Sequence, residues 1–300
     1  RAALAPWDDA AGGLRLTQRT DFTSYFGSCS LAKWKRYAQI NEVQLHIELS
    51  GDPCDIVLQE ATKGAACPVE IARFASNEAV VDASDPVADS EGRIALDLAF
   101  PASDALLLSF AIEPHGETVL HGAHYFTLVD EAQVNLVRLA LSTTTFKKED
   151  YIIPNIGLIS KEVLQSDEPI AEHFHMFVVD NGRTLDAKAI SSNGITVIPN
   201  ANTGGAGGFA RGMMAALDED DSAEPFTHIL LMDDDVVMSP ESLKRTYNLL
   251  ALAQGKYRDA FVNGAMLAIE QPNKKIEDVA HVLRTGGYHA LMGGHDSLLV

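Results

Sequence analysis

Three consecutive carboxylates follow an apolar run in the second half of the sequence. Asp233, Asp234 and Asp235 come directly after residues 228–232, which read as a buried strand. Adjacent carboxylates repel one another, and a hard divalent cation such as Mg²⁺ or Mn²⁺ relieves that repulsion through oxygen ligands. Such a cation usually keeps several waters and bridges to substrate phosphates. The alternative is a solvated acidic turn, which is how we interpret the equally acidic residues 218–221.

A glycine-rich segment follows another predicted strand, residues 195–198. Four of the five residues in 204–208 are glycine, and a helix is predicted over 208–217. Backbone N–H groups at a helix N-terminus can approach an anion closely where no side chain intervenes. The segment has neither the Gly-Lys-Ser/Thr ending of a Walker A loop nor the spacing of a dinucleotide fingerprint. Taken alone it favours phosphate binding only weakly, and a plain turn is the alternative.

Polar residues also end two further predicted strands. Asp180 follows the strand 174–179, where its carboxylate could accept from a ribose hydroxyl or a base N–H, or could shape an Asp-Asn-Gly turn. The segment 142–148, Ser-Thr-Thr-Thr-Phe-Lys-Lys, follows the strand 136–141. Its hydroxyls and two cations could hold a base or a pyrophosphate, and surface lysines are the alternative.

Helical patterns at 156–164 and 208–217 separate these strands. Alternation of strands and helices predicts a mostly parallel sheet with helices on both faces. Sheets of this kind bind ligands at the carboxyl ends of their strands. We therefore expect the four polar segments at one edge of a single sheet. Residues 261–269 predict one further strand, which could line the acceptor side or belong to the core.

The first 135 residues show short alternating runs instead. In 43–49, for example, apolar and polar residues alternate as in a half-buried strand. Several such runs parted by turn residues predict an all-β sandwich or jelly roll. We therefore divide the chain into a β-sandwich domain, 1–135, and an α/β domain, 136–300. The sequence stops in the apolar run 298–300 without a closing turn, from which we expect the second domain to be truncated.

Composition excludes several classes of protein. Hydrophobic residues make up 46% and charged residues 22%, which excludes a disordered chain. With 23 basic and 42 acidic residues, the net charge of −19 argues against non-specific binding of nucleic acid. Three widely spaced cysteines suggest no structural zinc site, and an odd number cannot all pair in disulfides within the chain. We therefore expect the protein in a reducing compartment. We find no apolar run of about 18 residues that would span a bilayer.

Together, the motifs TTTFKK, VVDNG, IPNANTGGAGGFARG and LLMDDDV resemble the nucleotide-binding half of the GT-A glycosyltransferases, in particular the inverting enzymes of family 2. With a β-sandwich ahead of this half, the chain resembles bacterial galactofuranosyltransferases that polymerise cell-wall galactan. The resemblance covers residues 136–270 by motif and residues 1–135 by domain arrangement alone. It implies a Rossmann-like GT-A fold for the second domain.

The resemblance also implies roles for individual residues. Asp233 and Asp235 match the metal-binding carboxylates of the DxD motif, with Mn²⁺ or Mg²⁺ as the cofactor. Lys147 stands where many relatives carry Arg in the turn under the base. The general base is expected beyond residue 300. The residues expected to bind the nucleotide sugar are Thr145, Phe146, Lys147, Asp180, Asn202, Gly204, Gly205, Arg211, Asp233 and Asp234.

The leading hypothesis is metal-dependent, inverting transfer of galactofuranose from UDP-galactofuranose to a glycan or lipid-linked glycan of the cell surface. The nearest alternative is a rhamnosyltransferase or other hexosyltransferase of the same fold that uses a dTDP- or UDP-sugar. A sugar nucleotidyltransferase is less consistent, because such enzymes place the glycine loop after the first strand. A carbohydrate-binding module without activity is the non-enzymatic alternative. We expect a cytoplasmic protein, and leave open peripheral contact with the inner face of the plasma membrane and a homo-oligomer.

Overall fold

The computed structural model describes residues 5–24, 27–38, 40, 42–65, 67–77, 92–218, 225–277, 279–285 and 287–291. The chain divides into two compact units, Val134–Arg258 and a unit that combines Arg1–Gln133 with Asp259–Val300. The boundary proposed from the sequence, between residues 135 and 136, stays a prediction.

The first unit is built from antiparallel strands. Alternation dictates the strands: Leu45, Ile47 and Leu49 are at most 1% exposed, whereas the polar residues between them face outward. The elements are β1 (Trp7–Asp8), β2 (Gly13–Leu16), β3 (Thr20–Phe22), α1 (Leu31–Tyr37), β4 (Gln44–Gly51), β5 (Cys54–Ala61), β6 (Val69–Ala75), β7 (Ile94–Ala99), β8 (Leu107–Pro114) and β9 (Thr118–Phe126).

These strands form two sheets, with the orders β1-β2-β9-β4-β7 and β3-β8-β5-β6. Aromatic rings of the two sheets pack together, since the ring centroids of Phe110 in β8 and Tyr125 in β9 lie 6.3 Å apart. The Tyr125 hydroxyl donates to the Gly27 carbonyl at 2.9 Å, and burial raises the pKa of this tyrosine. The first unit therefore has a core that both sheets share.

The second unit alternates strands and helices, as the sequence predicts. One sheet has the order β12-β11-β10-β13, and every neighbouring pair is parallel. The elements are β10 (Leu139–Thr145), α2 (Glu149–Ile159), β11 (Phe174–Asp180), α3 (Ala187–Ile190), β12 (Ile195–Pro199), α4 (Gly204–Asp218), β13 (His228–Asp233) and α5 (Pro240–Leu252).

The two faces of this sheet are packed differently. On one face, large apolar side chains of α2 and α5 cover the strands in a continuous core. On the other face, α4 lies so close to β10 that side chains are excluded at the contact. A Cβ atom added at Gly208 would lie 2.0 Å from Thr144 Oγ1, and one added at Gly212 would lie 2.1 Å from Ser142 Oγ. These two glycines therefore allow the close approach of helix and strand.

Four predicted elements differ from the structure. β10 was expected over 136–141 but runs to Thr145, and α4 begins at Gly204 instead of residue 208. The helix expected at 156–164 begins at Glu149 with Pro154 inside it, and continues as a π-helical turn over Ser160–Leu164. The strand expected over 261–269 is reduced to β14 (Met266–Ala268), since residues 261–265 form no strand and Phe261 is fully exposed. β14 pairs with β15 (Gln271–Glu277), and β16 (Val279–Val282) pairs with β17 (Tyr288–Leu291). Among the helices described, none is both long and apolar enough to cross a membrane.

The contact between α4 and β10 can be tested with two Gly→Ala variants on the same helix. Gly208→Ala should reduce the free energy of unfolding by about 1–3 kcal/mol, because the new methyl group overpacks the buried contact with Thr144. Gly205→Ala is the matched control, since a Cβ there meets nothing within 4 Å. It should be neutral, or stabilising by up to about 1 kcal/mol. Urea denaturation measures both, and an equal effect of the two substitutions would contradict the tight packing.

Candidate functional site

The register of the parallel sheet brings the predicted polar segments level with one another. Thr145 pairs with Asp180, Asp180 pairs with Pro199, and Thr144 pairs with Asp233. The direction in which successive strands are added reverses between β10 and β13, since β11 and β12 lie on one side of β10 and β13 lies on the other. Ligands of open α/β sheets bind at such a switch point, outside the carboxyl ends of the strands.

The acidic turn lies at this switch point, and a lysine bridges two of its carboxylates. Lys148 Nζ lies 2.7 Å from Asp235 Oδ2 and 3.4 Å from Asp234 Oδ1. The hydrogen bond from Lys148 holds the pKa of the Asp235 carboxyl below its usual range, and the same contact raises the pKa of Lys148. Asp233 is exposed, and its carboxylate has no hydrogen-bond partner among the described residues. The structure thus gathers Asp234 and Asp235 around one cation, whereas the resemblance pairs Asp233 with Asp235.

A buried amide from α2 holds the backbone of the acidic turn. Asn155 Nδ2 donates to the carbonyl of Asp234 at 3.2 Å and to that of Val236 at 2.9 Å. Asn155 is 8% exposed, so these bonds form away from water. The sequence analysis missed this residue because the predicted helix began after it. A polar residue beside the apolar face of a longer helix would have been the signal.

The glycine-rich segment forms the start of α4. Gly204 has φ of 71°, a conformation that glycine adopts readily, and its N–H donates to Asn202 Oδ1 at 3.1 Å. A Cβ at Gly204 or Gly205 would meet nothing within 4 Å, so the surface above them is open. Exposed amides at the start of this 15-residue helix can bind an anion. Arg211 lies half-buried on the same helix.

Two asparagines tie this helix start to the strand ends. Asn181 Nδ2 donates to the Gly204 carbonyl at 3.1 Å and to Thr144 Oγ1 at 3.3 Å. Asn200 Nδ2 donates to Asn181 Oδ1 at 2.9 Å, which fixes the orientation of the buried Asn181 amide. Neither residue was singled out in the sequence, where an Asn in a turn is commonplace. The network holds the N-terminus of α4 at the carboxyl edge of the sheet.

Asp180 is committed to its own turn. The side chain is fully buried, Oδ1 accepts from the N–H of Gly182 at 2.9 Å, and Oδ2 accepts from the N–H of Leu185 at 2.8 Å. The carboxylate therefore shapes the Asp-Asn-Gly turn, which was one of the two alternatives for this motif. Its contact with a base or ribose stays a prediction.

The turn after β10 presents an aromatic ring to solvent. Phe146 is 46% exposed, and Lys147 Nζ lies 5.3 Å from the centroid of its ring. Lys147 has φ of 56°, so the chain turns sharply between β10 and α2. Thr145 is buried, and its Oγ1 has no hydrogen-bond partner among the residues that the structure describes. An exposed ring beside these groups offers a surface on which a base could stack.

The donor set at the acidic turn fits Mg²⁺ or Mn²⁺. Carboxylates of Asp234 and Asp235 already converge on a cation, the Lys148 ammonium group. Within the described part of the chain, no three His, Cys, Asp or Glu side chains are arranged to hold a metal ion by themselves. Mg²⁺ is commonly bound through one or two carboxylates, with water and substrate phosphates completing the coordination. The turn is therefore suited to a cation that is shared with a phosphorylated ligand.

The role of Asn155 in holding this turn can be tested against a matched residue. Asn135 Nδ2 also donates to two backbone carbonyls of the same unit, Leu250 at 3.0 Å and Ala253 at 2.8 Å, but at the end of α5. Asn155→Leu and Asn135→Leu should each lower the free energy of unfolding by about 1–3 kcal/mol, because carbonyls lose their donor. Only Asn155→Leu should also weaken Mn²⁺ binding, by about tenfold or more. Unfolding and metal titrations measure the two effects, and equal Mn²⁺ affinity in both variants would contradict this role.

Comparison with known proteins agrees with the arrangement of this edge. Residues 178–276, which include the glycine-rich segment and the acidic turn, match the family described as "Glycosyltransferase like family 2". The chain is 26% identical over 262 residues to galactofuranosyltransferase GlfT2 of Mycolicibacterium smegmatis, covering 84% of this chain and 37% of that protein. GlfT2 of Mycobacterium tuberculosis is 26% identical over 261 residues, with the same coverage of 84% and 37%.

The chain thus spans little more than a third of the length of these curated relatives, 37% in each case. Among solved structures, the CBM22-1–GH10 modules of xylanase 10B from Clostridium thermocellum align with a TM-score of 0.22 and 9% identity, over 59% of this chain and 32% of that one. This likeness is too weak to inform the fold. Residues 178–276 are thus similar to glycosyltransferase family 2-like domains, and most of the chain is similar to galactofuranosyltransferase GlfT2.

Proposed function

We propose that the chain carries the donor site of an inverting, metal-dependent glycosyltransferase that transfers galactofuranose from UDP-galactofuranose to a cell-surface glycan. The observation that carries this proposal is the edge of the parallel sheet, where the acidic turn and the N-terminus of α4 follow strands of one sheet. A nucleoside diphosphate needs a cation and anion-binding amides at the same place. At this edge, carboxylates that would hold the cation and a helix N-terminus that would supply the amides follow strands of the same sheet.

Each group at the edge has a task in holding the donor. The open helix start at Gly204 and Gly205 would receive the diphosphate, with the Gly205 N–H as the donor because that of Gly204 already donates to Asn202. Arg211 would add positive charge from the same helix. Asp234 and Asp235 would hold Mg²⁺ or Mn²⁺, with Asp233 beside them. When bound, the metal neutralises the charge that develops on the diphosphate as it leaves.

The turn after β10 is proposed to hold the nucleoside. The exposed ring of Phe146 would stack on the uracil, with Thr145 and Lys147 beside it. Asp180 and Asn202 would act mainly through the turns that they cap, since both side chains already accept backbone N–H groups. An inverting enzyme also needs a general base for the acceptor hydroxyl, and we assign none of the described residues to that role. By residue type alone, His281, His289 and His295 are candidates for the base or for a further metal ligand, and their side chains lie outside the described part of the chain.

The identity of the donor sugar rests on the two relatives. Both are named galactofuranosyltransferases, which favours galactofuranose as the transferred sugar. We propose that the first unit is a sandwich of the jelly-roll type, which its two antiparallel sheets and shared aromatic core support. A cytoplasmic location, peripheral membrane contact, a glycan or lipid-linked acceptor and a homo-oligomer complete the proposal. With a net charge of −19, membrane contact would require a local basic or apolar patch.

Calorimetric titration of UDP with and without Mn²⁺ tests the donor site. UDP should bind more tightly when Mn²⁺ is present, and Asp235→Ala should weaken that binding by about tenfold or more because the turn loses an oxygen ligand. Asp218→Ala is the control, since it removes an exposed carboxylate at the far end of α4. It should leave the affinity unchanged.

The same titration separates the alternatives. Preference for dTDP over UDP would favour the rhamnosyltransferase, and a transfer assay that compares UDP-galactofuranose with dTDP-rhamnose would then identify the sugar. Failure of both nucleotides to bind, with or without Mn²⁺, would contradict the donor site in this chain. Equal loss of affinity in Asp235→Ala and Asp218→Ala would show that net charge, and not the acidic turn, governs binding.

A further inference from the structure

We propose that Lys148 is a resident counter-ion of the acidic turn, and that its ammonium group must leave before a divalent cation can bind there. The displaced ammonium group then becomes available to the diphosphate, so that metal and nucleotide binding are coupled through this one side chain. This inference rests on the metal site of the proposed function and adds a residue that sets its affinity.

The contact geometry places the ammonium group where a metal would take its ligands. Lys148 Nζ reaches Asp235 Oδ2 at 2.7 Å and Asp234 Oδ1 at 3.4 Å, so one cation is shared by carboxylates of two residues. A divalent cation that uses these oxygens would also meet a positive charge within the same few ångströms. Two cations cannot share the position, because like charges repel strongly at such distances.

The lysine is placed so that it can leave. Its side chain is 44% exposed, and Asp235 is 49% exposed, whereas Asp234 is only 10% exposed. Lys148 also directly precedes α2, as the residue at its N-terminal cap position. The adjacent Lys147 does not take part, since its Nζ lies by the ring of Phe146. The ammonium group can therefore swing into solvent, or towards a bound anion, without any change in the fold.

The negative charges of the acidic turn explain how Lys148 affects metal binding. Asp233, Asp234 and Asp235 would repel one another without a cation, and Lys148 relieves that repulsion in the absence of metal. The contact of Lys148 with Asp234 and Asp235 also weakens metal binding, because it must be broken before the metal can bind. A diphosphate reverses the balance, since it offers the released ammonium group an anionic partner. The two affinities are then linked thermodynamically. Bound nucleotide raises the affinity for the metal by some factor, and bound metal raises the affinity for the nucleotide by the same factor.

The test is a Mn²⁺ titration of the 300-residue chain, followed by the electron paramagnetic resonance signal of free Mn²⁺, with and without UDP. Lys148→Met should bind Mn²⁺ about three- to tenfold more tightly than the unsubstituted chain when UDP is absent. The factor by which UDP increases Mn²⁺ affinity should be smaller in Lys148→Met. Lys161→Met is the matched control: it removes one charge from a lysine that is 79% exposed and pairs with Glu162, and it should change neither quantity.

A second readout follows the lysine itself. In protein with ¹³C-labelled lysine, the Cε resonance of Lys148 is identified by its absence from Lys148→Met. Titration with Mg²⁺ should shift this resonance at the same concentrations at which the metal binds, and should leave that of Lys161 in place. A resonance that stays fixed while Mg²⁺ binds would show that the ammonium group is not displaced, and would overturn the inference.

The outcomes separate this inference from the proposed function. Equal Mn²⁺ affinity in Lys148→Met and the unsubstituted chain, with UDP-dependent binding intact, would overturn the role of Lys148 and leave the donor site standing. Equally tighter binding in Lys161→Met would assign the effect to net charge and would also overturn it. Absence of Mn²⁺ binding in every variant, with and without UDP, would overturn both the inference and the metal dependence of the proposed function.

Discussion

The close contact between α4 and β10 is the constraint on which the candidate site depends. Gly208 and Gly212 lie against Thr144 and Ser142, with no room for a Cβ atom between helix and strand. This contact sets where α4 begins relative to the ends of the strands. Asn181 then joins the first carbonyl of the helix, that of Gly204, to Thr144. A larger residue in the packed row would displace the helix start from the carboxyl edge, and with it the amides that face a ligand.

The acidic turn is held by polar contacts instead of close packing. One contact fixes its backbone, and another balances the charge of its side chains. Asn155 fixes the path of the chain through two carbonyls, whereas Lys148 balances the side-chain charge. Both come from the segment that leaves β10, on the face that carries α2. Since β10 lies next to β13, this segment is brought to the acidic turn by strand order alone. The site is therefore a consequence of the switch point, and not of any single motif.

Sequence patterns predicted two of the strand ends well, because an apolar run that stops at a polar residue often marks where a parallel strand leaves the core. Asp180 and Asp233 end their strands within one residue of the predicted limits. The end of β10 was predicted wrongly at residue 141, because buried hydroxyl residues continue this strand to Thr145. Contacts between segments could not be predicted, because periodicity does not give the order of strands in a sheet. The pairing of Lys148 with the acidic turn is of this kind. The expected strand around Phe261 failed for another reason: apolar composition predicts burial only where a partner surface exists, and Phe261 is exposed.

The glycine-rich segment shows how one motif can meet two physical demands. Gly208 and Gly212 are one turn apart on the face of α4 towards the sheet, and their absence of a side chain serves packing. Gly204 and Gly205 have open space above them, so their absence of a side chain serves access. A segment required only for anion binding would need glycine at the helix start alone, and one required only for packing would need it at the buried positions alone. Because both sets are present, α4 keeps an open helix start and also lies at a fixed short distance from the strands, as the proposed donor site requires.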